Sequence, residues 1–186
     1  TPLTVAIQGE WGSGKTTLMN FLRQELCTDD DGYYAVWINT WEYGLMMDAS
    51  STLTNIITAI INQVIEVIEQ ENSDDAAKLK KKAKSFITRV SKVALKTSAN
   101  MTIGSSAGDV VDSMFETEQS EIGVRQLRDE LQSTINHFIA QNPQKGFIFF
   151  IDDLDRINPP VAVQILELLK NLFDLDHCVF LLAIDY

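Results

Sequence analysis

The sequence predicts an α/β fold in which a mainly parallel central sheet lies between two layers of helices. Three observations lead to this prediction: four short apolar segments, longer segments with helical periodicity between them, and polar residues or glycine directly after each apolar segment. Short apolar runs that alternate with helices are typical of parallel strands buried on both faces. We therefore expect a three-layer α/β/α domain.

A single domain is expected over 1–186. The 186 residues are 45% hydrophobic and 22% charged, as in a globular protein with one well-buried core. The sequence starts inside an apolar segment without an initiating Met and ends just after another one. This predicts a domain excised from a longer protein.

The predicted strands and helices alternate along the chain. The predicted strands span 3–7, 35–38, 147–151 and 179–184. The predicted helices span 15–26, 49–71, 76–97, 124–141 and 159–173, and the last begins after a capping Asn158 with two prolines. Residues 98–120 are rich in Ser, Thr, Gly and Asp and lack periodicity, which indicates a loop. We therefore predict a helical and flexible insertion at 72–121.

The charge and the cysteine content argue against several classes of protein. A net charge of −11 is the opposite of what a domain that coats nucleic acid needs. Cys27 and Cys178 form no CxxC pair, and there is no His cluster, so neither a disulfide framework nor a zinc site is indicated. No apolar run is long enough to span a bilayer. A reducing cytoplasm is the expected location.

Residues 9–16 match the Walker A pattern G-x-x-x-x-G-K-[ST] at every fixed position, between a predicted strand and a predicted helix. In such a loop, backbone N–H groups face the phosphates, and the following helix adds the positive end of its dipole. We expect Lys15 to reach the β- and γ-phosphates and the Thr16 hydroxyl to bind Mg²⁺. The alternative is a glycine-rich turn with an accidental lysine. The predicted nucleotide-binding residues are Gly9, Glu10, Trp11, Gly12, Ser13, Gly14, Lys15, Thr16 and Thr17.

A matching acidic element ends the third predicted strand. Asp152 and Asp153 follow the apolar run 147–151, as in a Walker B strand. Asp152 is expected to bind Mg²⁺ through its waters, and Asp153 to orient or deprotonate the attacking water. A solvated acidic turn after a buried strand is the alternative, and without the upstream loop it would be the commoner one. Two adjacent acids favour hydrolysis over binding alone.

Arg156 and Asp185 have two interpretations each. Arg156 could pair with Asp155 and shape the loop, or it could reach the phosphate of a neighbouring subunit as an arginine finger. Asp185, after the fourth predicted strand, could be a polar sensing residue near the γ-phosphate or a capped strand end. The predicted catalytic residues are Lys15, Asp153 and Arg156, and the predicted metal ligands are Thr16 and Asp152.

An aromatic turn lies around the end of the second predicted strand and contains Trp37, Trp41 and Tyr43. Core packing is the default explanation for such residues, and Glu42 is a second candidate for positioning water. The sequence lacks the pairing of an N-K-x-D or T-K-x-D element with a D-x-x-G loop that guanine-specific P-loop proteins carry. ATP is therefore the expected nucleotide.

These residues make the sequence resemble the KAP family of P-loop NTPases. The likeness rests on four segments in the family's order: GEWGSGKTTLMNFL, INTWEYG, FIFFIDDLDRINPPVAVQILELLKNLF and FLLAIDY. The resemblance implies an ATPase of the additional-strand class, similar in core to AAA+ and STAND proteins and often an intracellular switch. It also implies links to phage exclusion, as in some bacterial members, or to membrane scaffolding, as in some animal members.

Many KAP proteins carry transmembrane helices between the two motifs, where this sequence has a basic amphipathic helix instead. Its basic residues are Lys78, Lys80, Lys81, Lys82, Lys84, Arg89, Lys92 and Lys96, and its apolar positions are Leu79, Ala83, Phe86, Val90, Val93 and Thr97. Such a helix could contact nucleic acid or the cytoplasmic face of an anionic membrane. The favoured interpretation is that it packs on its own domain and leaves its lysines in water.

Two functions remain open from the sequence. The first is an active ATPase whose cycle between ATP and ADP drives a switch in attached effector domains or in self-association. The second is a scaffold module that binds ATP and turns it over negligibly. Phosphoryl transfer to a small acceptor is less favoured, because such kinases generally need an arginine-rich lid. The paired Asp152 and Asp153 favour the first function.

Overall fold

A parallel sheet forms the centre of the domain. The structure, a computed structural model, describes residues 2–28, 31–44, 49–71, 76–81, 84, 88, 118–157, 159–172 and 174–185. The strands within these ranges are β1 (Leu3–Gln8), β2 (Tyr34–Asn39), β3 (Phe147–Asp152) and β4 (Cys178–Ile184). They lie in the order β1-β4-β3-β2, and each neighbouring pair is parallel.

Helices cover both faces of this sheet. They are α1 (Lys15–Leu26), α2 (Trp41–Gly44), α3 (Ala49–Glu71), α4 (Glu118–Ile139) and α5 (Pro159–Leu172), with a short 3-10 helix at Leu154–Arg156. One core lies between the sheet and α3, α4 and α5, and it includes Ile60, Ile135 and Ile165. The other lies under α1 and includes Met19 and Phe150. This arrangement confirms the predicted three-layer α/β/α fold.

The helix boundaries agree with the prediction for α1 and α3 and differ for α4. The prediction begins after Gly123, whereas α4 already includes Glu118, because a helix tolerates one glycine at a cost of about 1 kcal/mol. The helix also ends before the predicted 141, since the N–H of Gln141 turns back to the carbonyl of Phe138 at 3.1 Å. Helix α2 and the 3-10 helix were not predicted, because each is too short to show periodicity.

The predicted insertion at 72–121 is described only in part. Residues 76–81, 84, 88 and 118–121 are helical, and the rest of the insertion, with most of the predicted basic helix, lies outside the described residues. Ala76 and Leu79 are buried in the core, while Lys80 and Lys81 are exposed. Lys80 lies 3.7 Å from Glu69 of α3. These first residues pack on their own domain with Lys80 and Lys81 exposed, and the packing of the rest of the predicted helix stays a prediction.

Among the described helices, none has the length and apolar character needed to cross a membrane.

The strands of the sheet differ in how they are covered, and β1 and β2 are the two at its edges. Every residue of β3 is buried, whereas five of the six residues of β1 are exposed, so the prediction of four buried strands is wrong for β1. On the opposite edge, Gln63 of α3 covers β2: its Oε1 accepts the Trp37 N–H at 2.9 Å, and its Nε2 donates to the Trp37 carbonyl at 2.7 Å. At Trp37, the backbone at the β2 edge is thereby paired with a side chain.

Candidate nucleotide site

The predicted site residues lie together at the carboxyl ends of the parallel strands. The loop after β1 leads into α1, Asp152 ends β3, and Asp185 follows β4. The N–H of Gly9 donates to the carbonyl of Ile184 at 3.3 Å, which ties the start of the loop to the end of β4. In parallel α/β sheets this edge is where ligands bind.

The loop between β1 and α1 owes its shape to glycines. Gly12 has φ 80° and Gly14 has φ 92°, both in the left-handed region that favours glycine. Gly9 is restricted in another way, since a Cβ there would lie 2.6 Å from the Ser13 Oγ. The N–H of Ser13 donates to the carbonyl of Glu10 at 3.1 Å and closes the turn. Gly12 and Gly14 therefore provide the backbone conformation that the loop needs, and Gly9 provides the space beside Ser13.

Lys15 begins α1 with its side chain turned back over the loop. Its Nζ donates to the carbonyls of Gly9 at 2.8 Å and Glu10 at 3.2 Å, which places the ammonium beside the loop backbone. Thr16 and Thr17 lie in the exposed first turn of the same helix. A positive side chain, a helix N-terminus and exposed hydroxyl groups are thus gathered at one place, as binding of a phosphate requires.

The end of β3 is held by the residue that follows β2. Both the N–H and the Oγ1 of Thr40 donate to the carbonyl of Asp152, at 3.0 and 2.8 Å. Thr40 is fully buried and Asp152 is only 5% exposed. The Oδ1 of Asp152 also accepts the N–H of Asp153 at 2.9 Å. Asp152 therefore has a fixed position, and the sequence offered no signal for the part that Thr40 has in fixing it.

The chain turns at Asp153, directly after β3. Its φ of 58° and ψ of 30° lie in the left-handed region, which is uncommon for a residue other than glycine. Burial raises the pKa of its carboxyl, and the Asp152 carboxylate raises it further, while Arg156 and Lys15 oppose this rise. Of these influences on the pKa of Asp153, that of Lys15 is the smallest.

Arg156 contacts this acidic turn from the 3-10 helix. Its Nε lies 2.8 Å from the Oδ1 of Asp153, so the ion pair that the sequence predicts with Asp155 is made with Asp153 instead. The Arg156 guanidinium also lies over the ring of Trp41, 5.6 Å from its centre. A 3-10 helix brings residues three apart onto one side, which explains the choice of partner.

The comparison with protein families agrees with this geometry. The model of the KAP family P-loop domain matches residues 1–186, the whole chain. The chain belongs to the KAP family. The comparison with curated proteins gave no significant match. Family membership makes the chain a nucleotide-binding P-loop domain.

In the aromatic turn of this KAP domain, two residues pack in the core and one contacts Arg156. Trp37 stacks on Phe150 at 5.2 Å, and Tyr43 packs against the core, so the core-packing prediction is correct for both. It is wrong for Trp41, which is 38% exposed and contacts Arg156. Glu42 is exposed and accepts a hydrogen bond from Asn39 Nδ2 at 3.4 Å.

Two groups of the KAP domain, at the carboxyl ends of the strands, carry oxygen atoms of the kind that magnesium prefers. The Thr16 hydroxyl lies at the exposed start of α1, and the Asp152 carboxylate lies at the end of β3. Mg²⁺ prefers oxygen ligands and keeps several waters, so it needs only one or two protein groups beside the phosphates. These residues suit that chemistry.

Proposed function

We propose that this KAP domain binds Mg-ATP and hydrolyses it. The observation that carries the proposal is the arrangement of Asp152 and Asp153 at the end of a fully buried strand, at the same edge of the parallel sheet as the phosphate loop with Lys15. One carboxylate is buried and fixed, and the next follows a backbone turn beside it. Such a pair suits the hydrolysis of a phosphoanhydride, because one acid can bind the metal and the other can position the attacking water.

Each residue has a separate part in the proposed reaction. The loop N–H groups and the Lys15 ammonium bind the phosphates. Thr16 and Asp152 would hold Mg²⁺, Asp152 through its waters, and the ion supplies charge neutralisation to the phosphates. Asp153 orients the attacking water and accepts its proton. The absence of a paired guanine-recognition element in the sequence supports ATP as the nucleotide.

In the cell, we propose that this cycle acts as a switch in the cytoplasm. The family resemblance supports a nucleotide-driven change in attached effector domains or in self-association, in phage defence or in signalling at a membrane. Contact of the 78–96 segment with a membrane remains a prediction, because most of that segment lies outside the described residues.

A scaffold that binds ATP without turning it over is the second candidate. The observation that favours it is the ion pair between Arg156 and Asp153, which occupies one carboxylate oxygen and leaves only the other to activate water. An arginine finger acting on a neighbouring subunit is less supported, since Arg156 is held within its own chain by Asp153 and Trp41.

Phosphate release from Mg-ATP by the wild-type domain and by Asp153→Asn distinguishes the two candidates. The variant should keep its ATP affinity within about twofold and lose turnover by about 10²- to 10⁴-fold, because a general base contributes about that much. Asp129→Asn is the matched control, since Asp129 is an exposed aspartate of α4 and its variant should turn over like the wild type.

Other outcomes of this experiment have definite meanings. Wild-type turnover in Asp153→Asn would remove Asp153 from the mechanism. ATP binding without turnover in the wild type, at every protein concentration, would establish the scaffold instead. Turnover that rises faster than the protein concentration would show that hydrolysis depends on assembly.

A further inference from the structure

Trp41 stands out among the aromatic residues near the candidate site. It follows Thr40, whose N–H and hydroxyl both bond to the carbonyl of Asp152. Trp41 is 38% exposed, whereas Trp37 and Tyr43 of the same turn are less exposed and pack against the core. Packing in the core therefore accounts for only part of the position of Trp41.

The contact that Trp41 makes leads directly to the proposed base. The guanidinium of Arg156 lies over the ring, 5.6 Å from its centre, within the range of a cation–π interaction. The Nε of the same guanidinium lies 2.8 Å from the Oδ1 of Asp153. Ring, guanidinium and carboxylate thus form a continuous chain from the end of β2 to the end of β3.

The backbone alone does not fix the Asp153 carboxylate. Asp153 has left its strand and turned into a left-handed conformation, so the ladder of the sheet no longer constrains it. The N–H of Arg156 donates to the Asp153 carbonyl at 3.1 Å, which brings the two residues together. An arginine side chain still has many rotamers, and a flat ring against the guanidinium reduces that freedom.

The charge-assisted contact uses one carboxylate oxygen of Asp153. A guanidinium Nε against one carboxylate oxygen restrains the position of that oxygen, and with it the direction of the other one, more than the flexible ammonium of a lysine would. A water molecule activated by Asp153 requires that direction to be constant, since a displacement of about 1 Å can cost about 10² in rate.

We propose that Trp41 is a positioning residue for ATP hydrolysis: it holds Arg156, and Arg156 holds the Asp153 carboxylate in the direction that the attacking water needs. This inference rests on the proposed function, because it assigns to Asp153 the task of activating water. It gives the aromatic turn after β2 a part in catalysis that does not require contact with the nucleotide.

Steady-state hydrolysis of Mg-ATP by Trp41→Leu and Trp41→Phe tests this inference. Trp41→Leu should lower kcat by about tenfold to a hundredfold, with KM within about twofold, because the phosphate loop is unchanged. Trp41→Phe should recover most of kcat, since a phenyl ring also attracts a guanidinium. Phe21→Leu is the control, because it shortens an exposed aromatic residue of α1 away from this contact, and its kcat should equal that of the wild type.

A double variant tests the proposed route through Arg156. Arg156→Ala should lower kcat by a similar factor, and Trp41→Leu combined with Arg156→Ala should be no slower than Arg156→Ala alone. Effects that multiply would overturn the inference, because they would place Trp41 on another route. Unchanged unfolding midpoints in the variants confirm that the loss of kcat is not loss of the fold.

The failure of this inference differs from the failure of the proposed function. If the wild type hydrolyses ATP, Asp153→Asn does not and Trp41→Leu matches the wild type, Trp41 has no positioning role and Asp153 keeps its own. If Asp153→Asn hydrolyses ATP like the wild type, Asp153 has no part in the mechanism and the inference fails, although the domain is still an ATPase. If the wild type binds ATP without turnover, the proposed function itself is wrong. A Trp41→Phe variant as slow as Trp41→Leu would also overturn the cation–π explanation.

Discussion

The phosphate loop and the acidic end of β3 are held in place by different interactions. The loop lies in the exposed half of the site: Trp11 at its tip is 78% exposed, and its shape depends on Gly12 and Gly14. The acidic end lies in the buried half, where Thr40 and Asp152 are almost inaccessible and bonded to each other. Variants of the first half should therefore act mainly on affinity, and variants of the second on stability and turnover.

The largest expected effect on stability lies under the acidic half. Phe149 of β3 is fully buried and stacks on Phe180 at 4.5 Å. Phe149→Ala should lower the free energy of unfolding by about 3–5 kcal/mol, because it removes a large buried side chain and leaves a cavity. Urea denaturation measures this loss.

Phe21→Ala removes the same phenyl group from α1 in the phosphate-loop half. Since Phe21 is 59% exposed, the free energy of unfolding should change by no more than about 0.5 kcal/mol. Equal losses of unfolding free energy in Phe149→Ala and Phe21→Ala would contradict the distinction between a buried half and an exposed half of the site.

A smaller effect is expected for Thr40→Val, which keeps the shape of the side chain and removes its hydroxyl. The Oγ1 bond to the Asp152 carbonyl is lost while the N–H bond remains, so the free energy of unfolding should fall by about 1 kcal/mol. Thr4→Val in the exposed strand β1 is the matched control, with an expected change within about 0.5 kcal/mol. A larger loss in Thr4→Val than in Thr40→Val would reverse the comparison.

The sequence predicted the two halves unequally well. The loop is a continuous pattern of eight residues between a strand and a helix, so its position follows from local sequence alone. The acidic end depends on contacts between distant segments: the Thr40 hydroxyl bonds to a residue 112 positions further along the chain. Which residue meets Asp152 or Arg156 depends on the register of β2 and β3, which no local pattern contains.

The sheet itself shows the same limit. Apolar composition predicted all four strands and their class, because buried parallel strands are apolar throughout. It could not predict the order β1-β4-β3-β2, and for that reason β1 was expected to be buried. Whether a strand lies at the edge is a property of the pairing and not of the strand.

Titration of ATP into the wild type, Lys15→Ala and Lys81→Ala tests nucleotide binding through the phosphate loop most directly. Lys81 is an exposed lysine outside the site, so its variant controls for the loss of one positive charge from a chain of net charge −11. Hydrogen bonds to charged groups contribute about 1.5–3 kcal/mol each, and about 1.4 kcal/mol is tenfold in affinity, so Lys15→Ala should bind ATP at least roughly tenfold to a hundredfold more weakly. Lys81→Ala should bind like the wild type. Equal ATP affinity in Lys15→Ala and the wild type would contradict the assignment of the loop as the nucleotide site.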